Sequence, residues 1–276
     1  MIKVIIFDIG GVVVKKGKFN RIMKTFAKVV FGTINPDLIE KAITLKTRAI
    51  LPVHIAGNVC DMDAIMDIAS ENGLKVIEDS AQAICASKLR GITASYSFYP
   101  AKILGAYGDG GAVATNDEIT YETIKVLRNH GGKPKPSCVG YNSRLDNLQA
   151  AILDVKLPYL QSFIRRRKEI AEIYDTELAP FALPAFGIKP QLTLPFQREI
   201  YQDYIIRSPQ RDGLKNHLER KGIETLLDTY PFPDEIQIPP ATLQWQQTAL
   251  RLPCNFEISN QDIKYVTTAI KEFFQK

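Results

Sequence analysis

A chain of 276 residues with 45% apolar side chains is long enough to bury one large core or two moderate ones. Its 35 Lys and Arg stand against 30 Asp and Glu, and the resulting formal charge of +5 is spread along the whole length, so no nucleic-acid partner is implied. Cys60, Cys85, Cys138 and Cys254 form no CxxC pair, no apolar stretch approaches a membrane span and no cleavable apolar leader opens the chain, so neither a zinc site, a disulfide framework nor a membrane anchor is signalled and a soluble cytoplasmic protein is expected.

In chain order, Lys3–Phe7 reads as an apolar strand that joins a sheet edge. The run 49–53 has the character of a buried strand, and Asp61 then caps a segment whose Ile65, Ile68 and Ala69 share one helical face. Gly73 closes that helix, and 74–77 follows as a second short apolar strand. Strand, helix, strand favours a parallel pair joined by a right-handed crossover. Residues 94–99 make a third strand, 112–115 a fourth and 117–129 a helix opened by acidic residues, which sets the class as α/β. A helical pattern runs from near Leu145 to about Leu178 with an interruption at Pro158, and the proline-rich stretch 180–195 beyond it marks a boundary. Within that pattern Arg165, Arg166, Arg167 and Lys168 lie beside Glu169 and Glu172 and are expected to form a solvated face of mixed charge. Then 201–207 reads as a strand, 211–221 as a helix ended by Gly222, and 259–274 as a terminal helix with Ser259 and Asp262 at capping-box spacing, together a small α+β domain.

Polar residues at the carboxyl ends of parallel strands face the crevice where ligands bind. The sequence VIEDSAQA puts Glu78 and Asp79 at such an end, and alternation along the strand lets one acid point into the crevice while the other points away. Lys102 follows the next strand and precedes Gly105, Gly108, Gly110 and Gly111, which let the chain turn tightly. A carboxylate and an amine at neighbouring strand ends suit pyridoxal phosphate, whose aldehyde forms a Schiff base with a lysine while a carboxylate keeps the pyridine nitrogen protonated. Ser97, five residues before the lysine, can donate its hydroxyl to the phosphate. The same residues also read as a helix cap and as a surface lysine in a glycine-rich hairpin, and neither GxGxxG after the first strand nor GxxxxGK[ST] is present to favour a nucleotide.

The segments PVHIAGNVCDMDAIMDIASENGLKVIEDSAQA, SFYPAKILGAYGDGGAVATND, LRNHGG and VGYNSRLDNLQAAIL, with ERKGIET and the C-terminal LRLPCNFEISNQDIKYVTTAIKEFF, resemble the DegT/DnrJ/StrS-type nucleotide-sugar aminotransferases from about Thr33 onward. The resemblance implies a fold-type I pyridoxal-phosphate enzyme: a mainly parallel sheet with helices on both faces, incomplete at the N-terminus, and a smaller C-terminal α+β domain. It implies amino transfer, from glutamate, to a keto group of a nucleotide-linked sugar, in a homodimer with shared active sites. Lys102 would be the Schiff-base lysine that also moves the proton, Asp79 the partner of the pyridine nitrogen, Gln82 a neighbour of the ring hydroxyl and Ser97 a phosphate ligand. Asn142 would cross the dimer interface to the partner's phosphate, and His54 and His130 match positions near the site, where structural and catalytic roles both stand.

The opening residues depart from that family. KVIIFDIGGVVV resembles the start of haloacid-dehalogenase-type phosphatases, with Asp8 in the place of their nucleophile, although the later motifs of that fold have no room in the chain. The family's usual N-terminal segment, which brings a Gly-Thr/Ser loop to the phosphate and an aromatic side chain to the ring, is not matched. The expected division is an atypical segment 1–31, a partial cofactor-binding domain 32–157 and a connecting helix with a small domain 158–276. A catalytically silent homologue acting as a partner subunit is the alternative function. Near the C-terminal domain, Asp228, Thr229, Tyr230, Pro231, Phe232 and Pro233 stand where many relatives carry a histidine.

Overall fold

The structure is a computed structural model, and it describes residues 3–7, 36–86, 88–181, 200–227 and 240–275. The expectations for Asp8, for most of the proline-rich stretch and for 228–233 lie outside the described residues. The chain divides into two compact units, one reaching Leu160 and one formed chiefly by Gln161–Lys276.

The first unit is built on a five-stranded sheet: β1 (Lys3–Phe7), β2 (Ala49–Ile50), β3 (Lys75–Asp79), β4 (Thr93–Ser97) and β5 (Gly111–Thr115), in the spatial order β1-β5-β4-β3-β2. β2, β3 and β4 are mutually parallel, whereas β5 runs against both β4 and β1. The apolar stretch Lys3–Phe7 therefore does join the sheet edge. The run expected at 49–53 forms only two paired residues and a separate bridge from Val53 to Asp79, because Pro52 between them has no N–H for the ladder. Its carbonyl still accepts from the Asp79 N–H at 2.8 Å.

Among the described residues this unit has the α-helices α1 (Pro36–Ala42), α2 (Met62–Glu71), α3 (Glu118–Leu127) and α4 (Asn147–Lys156). The cap at Asp61 forms as the sequence predicts, its Oδ1 accepting from the Ala64 N–H at 3.2 Å. Met62, Ile65, Ile68 and Ala69 are the buried face of α2, each large one contributing roughly 1.5–3 kcal/mol by leaving water. Gly73, at φ +62°, ends it in a left-handed conformation that a side chain would resist. In β3 the alternation buries Val76 and Glu78 on one face and leaves Lys75, Ile77 and Asp79 on the other. The buried face continues through Ala94, Ala112 and Ala114.

The second unit packs α5 (Leu160–Leu178), α6 (Arg211–Arg220) and α8 (Asn260–Phe274) with an antiparallel sheet of β6 (Tyr204–Arg207), β7 (Leu226–Leu227) and β8 (Ala249–Leu252), in the order β6-β8-β7. Helix α7 (Pro240–Thr248) leads into β8. Pro158 sits in a short 3-10 turn, Leu157–Tyr159, that separates α4 from α5. The Ser259 capping box is complete: Asp262 N–H donates to Ser259 Oγ at 3.1 Å and Ser259 N–H to Asp262 Oδ2 at 3.2 Å. The basic run corrects one expectation. Arg167 is buried, donating from Nη1 to the carbonyls of Tyr201 (2.9 Å) and Gln202 (2.8 Å), and Arg166 donates to the Ile258 carbonyl and to Asn260, so two of the four cations anchor backbone instead of forming a solvated face. No helix among the described residues is long and apolar enough to cross a membrane.

Candidate active site

The parallel register places Asp79 opposite Ser95, so these side chains share one face, and Ser97 lies on that face two residues further on. Ser97 in turn stands opposite Gly111, which stands opposite Phe7. The carboxyl ends of β3 and β4 thus lie at the same end of the sheet, and the loop that leaves β4 carries Lys102. Asp79 is half-buried, and its Oδ1 accepts from the Ala81 N–H at 3.0 Å. Ser97 Oγ accepts from the Tyr99 N–H at 3.2 Å, and a hydroxyl that accepts there still has its own proton to donate. Gln82 Oε1 accepts from the Ala56 N–H at 2.6 Å, which turns the amide so that its NH2 is the end left to face a ligand.

Lys102 is half-buried in a loop closed on itself by Phe98 N–H to Gly110 O (2.7 Å), Lys102 N–H to Tyr99 O (2.8 Å) and Ala106 N–H to Phe98 O (2.8 Å). The glycines in it answer to contact: a Cβ on Gly105 would lie 2.3 Å from the Pro100 carbonyl oxygen. Helix α4 grips the loop from outside. Lys156 Nζ donates to Gly105 O at 2.7 Å and stands 4.8 Å over the Tyr107 ring, while Gln149 Oε1 accepts from the Tyr107 N–H at 2.8 Å. These two residues escape a sequence reading, since each acts on a loop more than forty positions away and sits in a helix whose pattern is explained by packing alone.

Asn142 belongs to a different segment. It bridges Asn129 in a short antiparallel pairing flanked by His130 N–H to Tyr141 O (2.8 Å) and Tyr141 N–H to Leu127 O (2.7 Å). It is exposed, and with Arg144, Leu145, Asp146 and Asn147 it lines an open cavity of about 420 Å³. The structure therefore puts Asp79 and Ser97 on one face at neighbouring strand ends, Gln82 and Lys102 in the loops that leave those ends, and Asn142 on a separate segment.

The two histidines part company. His130 is half-buried at φ +56°, and burial together with the charges of Lys133 and Arg144 holds its pKa below the ordinary imidazole value. His54 is wholly buried: its Nδ1 accepts from the Cys60 N–H at 3.2 Å, so the ring proton lies on Nε2, 3.1 Å from Glu78 Oε2. Glu78, also fully buried, accepts at Oε1 from the N–H groups of Arg90 (2.7 Å) and Gly91 (2.6 Å). Burial alone would raise its pKa, but His54 and these two N–H groups outweigh it and hold the carboxyl below its ordinary value. Of the two adjacent acids, then, Glu78 is committed to the interior and Asp79 to the other face of β3. No group of three His, Cys, Asp or Glu side chains among the described residues is placed to hold a metal ion.

Comparison with known proteins bears on these strand ends. The chain is 41% identical over 262 residues to the pleiotropic regulatory protein of Geobacillus stearothermophilus, covering 88% of this chain and 69% of that one. It is 43% identical over 210 residues to the dTDP-3-amino-3,4,6-trideoxy-alpha-D-glucose transaminase of Streptomyces venezuelae, covering 73% and 54%. Among solved structures it superposes on NtdA of Bacillus subtilis, which has bound cofactor PMP, with a TM-score of 0.80 at 29% identity, covering 88% of this chain and 60% of that one. The chain thus spans between about half and two thirds of the length of these relatives. Aminotransferases of this type are pyridoxal-phosphate enzymes. The profile of the DegT/DnrJ/EryC1/StrS aminotransferase family matches residues 27–271, and the chain belongs to that family.

Proposed function

We propose that this chain is a cytoplasmic aminotransferase that moves an amino group, with glutamate as donor, to a keto group of a nucleotide-linked sugar. The observation that supports the reading is the parallel register of β3 and β4, which puts Asp79 and Ser97 on one face at neighbouring strand ends, with Gln82 and Lys102 in the loops that leave those ends. The donor set fits pyridoxal phosphate: an anionic acceptor, an amide NH2, a hydroxyl and an amine are what its ring nitrogen, ring oxygen, phosphate and aldehyde require. When bound, that cofactor supplies a carbonyl able to take up an amino group and a ring able to accept electrons.

The chain's own residues account for the rest. Asp79, steadied through Oδ1 by the Ala81 N–H, keeps a proton on the ring nitrogen. Gln82, its oxygen held by the Ala56 N–H, offers its NH2 to the anionic ring oxygen. Ser97 donates to a phosphate oxygen. Lys102 Nζ would hold the cofactor and would be the amine that moves a proton at the substrate carbon. Asn142 serves the partner's phosphate in a homodimer; Leu148, Val155 and Tyr159, exposed along one side of α4 and the turn after it, support a second copy there. Incubating the purified chain with pyridoxal phosphate tests the reading. A stoichiometric visible band that disappears in Lys102→Ala, with glutamate-dependent amination of a nucleotide keto sugar, is expected. A chain that folds yet yields no band is the silent homologue instead.

A further inference from the structure

Two buried polar side chains behind the strand ends touch none of the ring contacts directly, and we infer that His54 and Glu78 are positioning residues that set Asp79 and Gln82 for the cofactor ring. The inference rests on the functional reading above and extends it to residues behind the site wall.

The geometry links the pair to both ring contacts by short paths. The His54 N–H donates to the Asp79 carbonyl at 3.0 Å, and the Asp79 N–H returns a bond to Pro52 at 2.8 Å, so the turn after β2 and the last residue of β3 are fixed to each other. Two residues beyond His54, Ala56 stands at φ +56° and gives its N–H to Gln82 Oε1. That left-handed conformation is held against its cost by what flanks it, and the imidazole wedged between Cys60 N–H and Glu78 is the flank on one side. Glu78 is in turn pinned by three donors, one of them the imidazole, and it precedes Asp79 directly in the strand. A buried carboxylate with three donors has little freedom, so the next residue inherits a fixed plane. Loss of the His54–Glu78 link lets the 54–57 turn relax, freeing the Gln82 oxygen and shifting the Asp79 carboxylate against the ring nitrogen.

Paired substitutions separate this role from a general contribution to folding. His54→Asn keeps an acceptor for the Cys60 N–H and loses the donor to Glu78; His54→Gln keeps a donor within reach of Glu78. With the full chain and pyridoxal phosphate as the probe, His54→Asn is expected to bind the cofactor on the order of tenfold more weakly than His54→Gln. Its visible band should shift and kcat should fall, with KM for the sugar unchanged. Glu78→Gln should follow His54→Asn. In cofactor-free protein the Ala56 amide should exchange with deuterium faster in His54→Asn than in His54→Gln. Equal affinity, spectrum and exchange in the two His54 variants overturn the role, as does a loss that tracks the unfolded fraction alone. If His54→Asn does not fold, Glu78→Gln against native protein gives the same contrast. A native chain that forms no band overturns the functional reading, and the role with it, whereas a native band with unaltered variants overturns the role alone.

Discussion

The two units bury charged and polar side chains in different ways. In the second, Arg167 donates to the Tyr201 and Gln202 carbonyls, Arg211 to those of Gln246 and Ala249, and the Tyr204 hydroxyl to Asp175 at 2.6 Å. Burial pushes the Asp175 carboxyl above its ordinary range, and the Tyr204 bond only partly offsets that, as suits a group whose work is internal. In the first unit Glu78 and His54 close on each other, but the adjacent positions Asp79 and Gln82 have only one end of the side chain engaged inward. Half-satisfied groups here stand beside fully satisfied ones, the pattern expected where a ligand completes the bonding.

The strongest way to break that contrast is at Lys102. Lys102→Ala should lower amination by a factor on the order of 10³ or more and abolish the cofactor band, while thermal unfolding stays close to native; steady-state rates beside a melting curve check both. Arg167→Ala reverses the pattern. It frees two buried carbonyls and empties a buried site, and chemical denaturation should report a loss of about 3 kcal/mol with little change in rate per folded molecule. Ser259→Ala opens the capping box of α8 and should cost about 1 kcal/mol by the same method.

Acid sensitivity sharpens the comparison further and has the smallest expected effect. The Glu78 carboxyl is held below its ordinary value of 4.5 in the folded chain. Its contribution is therefore fully present above that value and is lost as pH falls toward the depressed folded one. Native protein should lose stability more steeply below about pH 4.5 than Glu78→Gln does, which denaturation midpoints across a pH series would record.

Much of this was legible in the sequence because it is local. The Asp61 and Ser259 caps, the left-handed glycines at 73 and 222 and the alternation in β3 all follow from residues within a few positions of one another. Asp79 and Lys102 were legible as candidates because polar residues at parallel strand ends face a crevice, Ser97 from its spacing to the lysine, and Gln82 only through the family resemblance. Which of Glu78 and Asp79 turns inward needed the register, and the grip of Gln149 and Lys156 on the lysine loop needed three dimensions. β8 passed unnoticed since Ala249–Leu252 is short, alternates weakly and gains its place only as the middle strand between β6 and β7. Arg167 looked like its charged neighbours, and nothing in a run of four cations distinguishes the one whose acceptors lie 34 and 35 residues away.

The most direct test of the central claim is chemical. Pyridoxal phosphate is added to the purified native chain, the adduct is reduced with borohydride, and the label is located by peptide mass. The account predicts one equivalent, on Lys102, and none in Lys102→Ala. Label scattered over other lysines, or equal labelling of native and Lys102→Ala chains, would contradict it.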